Sequence, residues 1–189
     1  KTTPPFGVSG PASPQIAGNP FTATVYATDS RYNWVTTVNK TSEIQITEDD
    51  PNVSTPFGPF NMATGTTTAT GITLRTAGTR RLTANNINVN FPNLQAGHNS
   101  DTFPLNPALP SKWRVLVPAQ TPLGGDTGNG RAGGVISQAS GSPFTITVDV
   151  VDGFWNSLPA STSQEVRIES SDPFMTAQPA TATVSGPTT

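Results

Sequence analysis

From Phe21 to Thr28 apolar and polar residues alternate: Phe21, Ala23, Val25 and Ala27 fall on one side, Thr22, Thr24, Tyr26 and Thr28 on the other. The alternation returns with Phe144, Ile146, Val148 and Val150 against Thr145, Thr147, Asp149 and Val151. A period of two is that of a β-strand, whose successive side chains leave opposite faces. Each first set therefore predicts a face packed on a core, and each second set a face in water. Ile44 with Ile46, and Val166 with Ile168, predict a later strand in each copy. Thr70, Ile72 and Leu74 predict another, closed by Ala77-Gly78; Arg81 to Ala84 returns with Leu82 and Ala84 inward, and Thr102 to Leu105 follows. Trp113, Val115 and Val117 then open a new series. No long helix is visible. Short strands between turn residues indicate an all-β chain of antiparallel β-sandwiches. The expected core is Phe21, Val25, Ile44, Ile46, Ile72, Leu74 and Leu82 in the first unit. In the second it is Phe144, Ile146, Val148, Val166 and Ile168. Truncating a fully packed Phe144 to Ala would cost about 3–5 kcal/mol.

The two patterns belong to a duplication. Pro20-Phe21-Thr22-Ala23-Thr24-Val25 matches Pro143-Phe144-Thr145-Ile146-Thr147-Val148, and the same offset carries Gln15, Gly18 and Asp29 onto Gln138, Gly141 and Asp152. One residue is lost before Glu43-Ile44-Gln45-Ile46 meets Glu165-Val166-Arg167-Ile168 and Asp50-Pro51 meets Asp172-Pro173. A match that holds register this long reads as a tandem repeat. Lys112 to Gln120 has no counterpart before Lys1, and Leu74 to Asn106 none after Thr189. The expected units are residues 1–108, without an opening strand, and 109–189, without closing strands. Unpaired edges of that kind invite strand addition from a neighbouring repeat or subunit, in a head-to-tail filament. The boundary falls in Asn106-Pro107-Ala108-Leu109-Pro110, where Pro stiffens the chain. Pro118 to Gly134 is polar and Gly-rich, and reads as a long surface loop over the junction.

Composition narrows the function classes. Only 12% of residues are charged, the net charge is −2, and 19 Pro and 17 Gly accompany abundant Thr. Thr suits strands, and Pro and Gly suit turns. The ten basic residues are scattered, which does not fit a nucleic-acid partner. No apolar run approaches the roughly 18–20 residues of a membrane helix. The absence of Cys excludes disulfides and thiolate chemistry. The chain opens on Lys1 without a signal-peptide pattern, which reads as a processed product or a segment of something longer.

The series KWRVLVP, a Gly-rich loop, SQASGSPFTITV, VDGFWN and EVRIESSDP, with GITLRTAGTRRLTA in the first copy, resembles the tandem Ig-like (bacterial Ig-like) repeats of very large secreted bacterial surface proteins. Asp152-Gly153-Phe154-Trp155-Asn156 and Leu74-Arg75-Thr76-Ala77-Gly78 carry the resemblance most specifically. Asp29-Ser30-Arg31-Tyr32-Asn33-Trp34 reverses the Trp-Asn order. The resemblance implies tandem immunoglobulin-like domains, export to the cell surface, a scaffold or adhesive role, and no catalytic residues.

Candidate chemistry is sparse. His98 lies near Ser100 and Asp101, but a triad needs a base held by a third group and aimed at a nucleophile. One His and no Cys do not suit zinc. Asp29, Asp50, Asp152 and Asp172 follow matching strands and are calcium candidates, with Asp126 and Asn129 in the Gly-rich loop. The alternative is that each Asp caps a turn. Trp34, Phe154 and Trp155, with Tyr32 and Trp113, are candidates for a sugar-binding platform or for packing. Asn39-Lys40-Thr41 and Asn52-Val53-Ser54 match the glycosylation tripeptide. The expectation is an extracellular structural repeat protein, without cofactor or enzymatic activity, forming a fibre, filament or stalk. The alternative is an adhesin or carbohydrate-binding module.

Overall fold

The computed structural model describes residues 10–87, 98–158, 163–175 and 181–185. Among these residues every regular element is a strand and there is no helix. The chain divides into two compact units, Lys1–Asn106 and Pro107–Thr189, just short of the boundary expected after residue 108.

Unit 1 contains β1 (Gln15–Ile16), β2 (Phe21–Tyr26), β3 (Lys40–Glu48), β4 (Phe57–Met62), β5 (Thr66–Ile72), β6 (Gly78–Arg80), β7 (Leu82–Asn86), β8 (His98–Asn99) and β9 (Phe103–Asn106). They form three sheets, ordered β4-β3-β7-β8, β2-β5 and β1-β9-β6, antiparallel throughout except β1 beside β9. Alternation places Ile46, Ile72, Leu74, Leu82, Phe103 and Leu105 in one shared core. Full burial of such side chains stabilises by about 1.5–3 kcal/mol each. Ile44 is buried in a satellite cluster with Met62. Phe21 and Val25 are half-buried against the core, and the Phe21 ring meets Phe103 edge-on at 5.7 Å.

Unit 2 contains β10 (Lys112–Leu116), β11 (Thr121–Pro122), β12 (Arg131–Ala132), β13 (Thr147–Val151), β14 (Ser163–Arg167) and β15 (Thr181–Ser185). They pair two by two: β10 with β13, β11 with β12, and β14 with β15. The repeat holds at the level of register. Val166 pairs with Ala182 as Ile44 pairs with Phe60, the equivalent positions of β3 and β4.

The core expected for unit 2 is only partly formed. Phe144 is 54% exposed, and the strand starts at Thr147 rather than at Phe144. Ile146, Val148, Val166 and Ile168 are half-buried. In unit 1 the equivalent face lies against Ile72, Leu74, Leu82, Phe103 and Leu105; among the described residues of unit 2 no strand pairs with β13 on the edge where β5 pairs with β2. The opposite face departs the other way: Asp149 and Val151, expected in water, are buried.

Candidate functional site

The largest fully buried side chain among the described residues is Arg114. The alternation of Trp113, Val115 and Val117 places Arg114 and Leu116 on the other face of β10, and both are buried while Trp113 and Val115 are exposed. In the β10–β13 ladder Arg114 stands directly opposite Asp149. Its Nε donates to Asp149 Oδ1 at 3.0 Å, and one Nη2–H to Asp149 Oδ2. The second Nη2–H goes to Ser157 Oγ at 2.6 Å. Nη1 donates to the carbonyls of Gly130 and Trp155, at 3.1 and 2.8 Å. All five guanidinium donors thus have partners. A charge that is only 2% exposed is tolerable because its counter-charge and its hydrogen bonds are buried with it. Ser157 Oγ donates in turn to Asp149 Oδ2 at 2.8 Å.

These contacts draw in the Gly-rich segment, which is therefore not simply a surface loop: Gly125 and Gly130 are buried. A Cβ on Gly130, whose φ is +68°, would stand 2.4 Å from the Trp155 ring, so only Gly lets the backbone reach Arg114 here. Trp155 Nε1 donates to Gly128 O at 3.1 Å, and Lys112 Nζ sits 4.0 Å from the Trp155 ring centroid. Asp126 Oδ2 accepts from Gly130 N at 2.8 Å. The amides of Gly128 and Gly130 hold the Asp126 carboxyl below the ordinary carboxylate range.

The turn after β13 is built on Asp152, which is fully buried. Its Oδ1 accepts from Phe154 N and Asn156 N at 2.8 and 2.9 Å; its Oδ2 accepts from Asn156 Nδ2 and Ala108 N at 2.8 and 2.9 Å. Trp155 sits in the left-handed region, φ 63°. Unit 1 has the same turn. Asp29 Oδ1 accepts from Arg31 N and Asn33 N, Oδ2 accepts from Asn33 Nδ2, all at 2.9 Å, and Tyr32 has φ 64°. Asn33 side-chain and backbone donors, with Arg31 N, lower the Asp29 pKa. The two corners align on Asp and on the Asn four residues later. The apparent reversal of Trp and Asn is therefore no reversal: Tyr32 stands at the Trp155 position and Trp34 at the Ser157 position, as the bridges Thr28–Trp34 and Val151–Ser157 require.

No family model, curated protein or solved structure matches this chain.

The structure places the calcium candidates in two pairs. Asp29 and Asp152 cap the turns just described. Asp50 and Asp172 cap a second repeated turn: Asp50 Oδ1 accepts from Asn52 N at 3.0 Å, and Asp172 Oδ1 from Phe174 N at 2.9 Å. Asp50 also receives Arg75 N and Thr76 N on Oδ2, at 2.6 and 2.8 Å, and the Thr76 hydroxyl on Oδ1. Burial alone would raise its pKa. The Thr76 hydroxyl and amide, with the amides of Asn52 and Arg75, outweigh burial and hold it low. Among the described residues no group of three His, Cys, Asp or Glu side chains gathers as a metal site would need.

The aromatic candidates are dispersed. Trp34 is exposed, stacks edge-on with exposed Tyr26 at 5.6 Å, and donates Nε1–H to Gly65 O at 3.1 Å. Phe154 and Trp155 are half-buried. His98 is exposed on β8, and the Ser100 hydroxyl accepts from Leu82 N and donates to Asp101 O. Of the glycosylation asparagines, Asn39 Oδ1 accepts from Thr64 N and Asn52 Nδ2 donates to Thr76 Oγ1. Among the described residues no helix is long and apolar enough to cross a membrane.

Sequence reasoning missed the Arg114–Asp149 pair. Both charges stand at the parity that alternation assigns to water; the one local signal was an apolar neighbour on the same face, Leu116 beside Arg114 and Val151 beside Asp149.

Proposed function

We propose that this chain is a structural repeat segment, built of Ig-like β-sandwich units in series, from an extracellular fibre, filament or stalk. The observation that carries the reading is the repeated corner. Asp29 with Asn33 and Asp152 with Asn156 make the same side-chain bonds around a left-handed aromatic residue in both units. Duplication that preserves local geometry while leaving candidate ligands spent on turn amides favours load-bearing architecture over chemistry. Arg114 has no donor left for a substrate, and Asp152 has all four acceptor positions used.

Electron micrographs of the native material test this. Filaments with a repeating unit are the expected result; discrete isolated particles would overturn it. Denaturing electrophoresis then separates subunits, near the 19.7 kDa of this sequence, from a very large covalent array.

A second reading, a carbohydrate-binding or adhesive module, is favoured by the exposed Tyr26–Trp34 pair. Their rings stand at 83° and so offer no common flat platform. Quenching of Trp34 emission by a glycan, lost in Trp34→Ala, would support this reading; no response across a glycan panel would remove it.

A further inference from the structure

Unit 1 encloses an amine, a carboxyl group and a primary amide: Lys40 Nζ, Glu43 Oε2 and Asn86 Nδ2 are each sealed from solvent. β3 supplies the first two and β7 the third. Ladder register turns them to one place. Lys40 stands opposite Met62, and Asn86 opposite Ile44. Cross-strand partners share a face, and Met62 and Ile44 pack together in the satellite cluster. Lys40 and Asn86 therefore both enter the interior beside that cluster. From Lys40 to Ile44, β3 advances four residues while β4 advances two, from Met62 to Phe60. That irregularity draws Lys40 back toward Ile44 and lets Glu43 turn inward, with Glu43 Oε2 3.6 Å from Lys40 Nζ. Glu43 O accepts from Ile87 N at 2.9 Å, so the pair lies beside the end of β7 that carries Asn86.

These three groups together form a reactive set. A neutral Lys amine is a nucleophile, and a carboxylate beside it can move its protons. A fold that holds amine against amide replaces a chance encounter with a standing one. Exclusion of water removes the competing hydrolysis. As packing alone the set is a poor choice, because a buried ion pair is often no more stabilising than apolar residues of the same volume.

We propose that Lys40 and Asn86 join in an intramolecular amide bond that staples β3 to β7, with Glu43 as the proton relay. Glu43 takes one proton from the Lys40 ammonium and keeps it. The Nζ lone pair then forms a bond to Asn86 Cγ. As the Cγ–Nδ2 bond breaks, its electron pair stays on Nδ2, which receives a second Nζ proton through Glu43 and leaves as ammonia. Atoms and charge balance, and no oxidant, reductant or further reactant is consumed. The product is a covalent loop over residues 40–86 that stays closed when the ladder hydrogen bonds open. It goes beyond the structural-repeat reading and stands or falls separately from it.

Intact-mass spectrometry of the 189-residue chain tests the bond. The expected mass is about 17 Da, one ammonia, below that of the sequence. Tryptic digestion should release residues 32–75 and 82–112 as one branched peptide, uncleaved at Lys40. Lys40→Arg and Asn86→Ala should each show the full mass of their own sequence. Glu43→Gln, which cannot take the proton, should link at least about tenfold more slowly; linkage at the parent rate would overturn the relay. A parent chain at the full mass of its sequence overturns the bond, whatever the variants do. So does a loss of ammonia that persists in Asn86→Ala or maps to Asn129-Gly130, where a backbone imide has the same mass. Filaments built from a chain of unshifted mass would leave the structural-repeat reading intact and remove the staple.

Discussion

Unit 1 gathers most of its apolar side chains into one large core and uses Asp29 and Asp50 to cap turns, whereas unit 2 encloses a guanidinium and a carboxylate opposite each other in one ladder while Phe144 faces solvent. Both descend from the same alternating strand. At the place where unit 1 has Tyr26 and Trp34, unit 2 has Asp149 and Ser157, which close around Arg114. Unit 1 has no described strand in the β10 position, and unit 2 has none in the β5 position. The identity of a strand's neighbours, more than its own sequence, decides which of its faces becomes interior.

The largest effect that would break this contrast is at Arg114. Arg114→Leu leaves Asp149 buried without its partner and should cost unit 2 about 3–5 kcal/mol, with unit 1 unaffected. Denaturant unfolding, read by hydrogen exchange in each unit, measures it. The double variant Arg114→Leu with Asp149→Val should recover most of the loss.

Next comes a paired truncation. Leu74→Ala, in the closed core, should cost about 2–5 kcal/mol, whereas Phe144→Ala should cost only about 1 kcal/mol while its face stays open. Equal losses would show that unit 2 is as well packed as unit 1.

Gly130→Ala tests the close approach that seats Arg114. The added methyl meets the Trp155 ring in a left-handed backbone, and a loss of about 1–3 kcal/mol confined to unit 2 is expected. The smallest effect is in acid. Asp50 has its pKa held low, so its contribution is present above the ordinary carboxylate pKa and is lost as pH falls through the lowered value. Glu48, raised chiefly by burial, acts with the opposite sign as pH rises past its ordinary value. Acid titration of unit 1 stability should therefore flatten in Asp50→Asn.

Much of unit 1 was legible because alternation alone assigns Ile44, Ile46, Ile72, Leu74 and Leu82 to the interior, and the strands that cover them lie within the same chain. For Phe144 alternation names the face but not what lies over it, and among the described residues of unit 2 no aromatic ring meets it as Phe103 meets Phe21. The Asp corner was half legible. The interval from Asp29 to Asn33 repeats from Asp152 to Asn156, but anchoring the comparison on Trp hid it. The Arg114–Asp149 pair spans 35 residues and depends on ladder register, which local pattern does not determine.

The enclosure of Arg114 has a consequence for the medium this protein can occupy. Dissolved ions weaken attractions between charges that water can reach, over a length of about 8 Å at physiological ionic strength, and act far less on charges sealed from solvent. Arg167 and Glu169, 3.4 Å apart and both largely exposed, lose their attraction as salt is added. Arg114 and Asp149 keep theirs. Salt should therefore weaken the Arg167–Glu169 attraction while leaving Arg114–Asp149, and the largely enclosed Lys40–Glu43 pair of unit 1, far less changed.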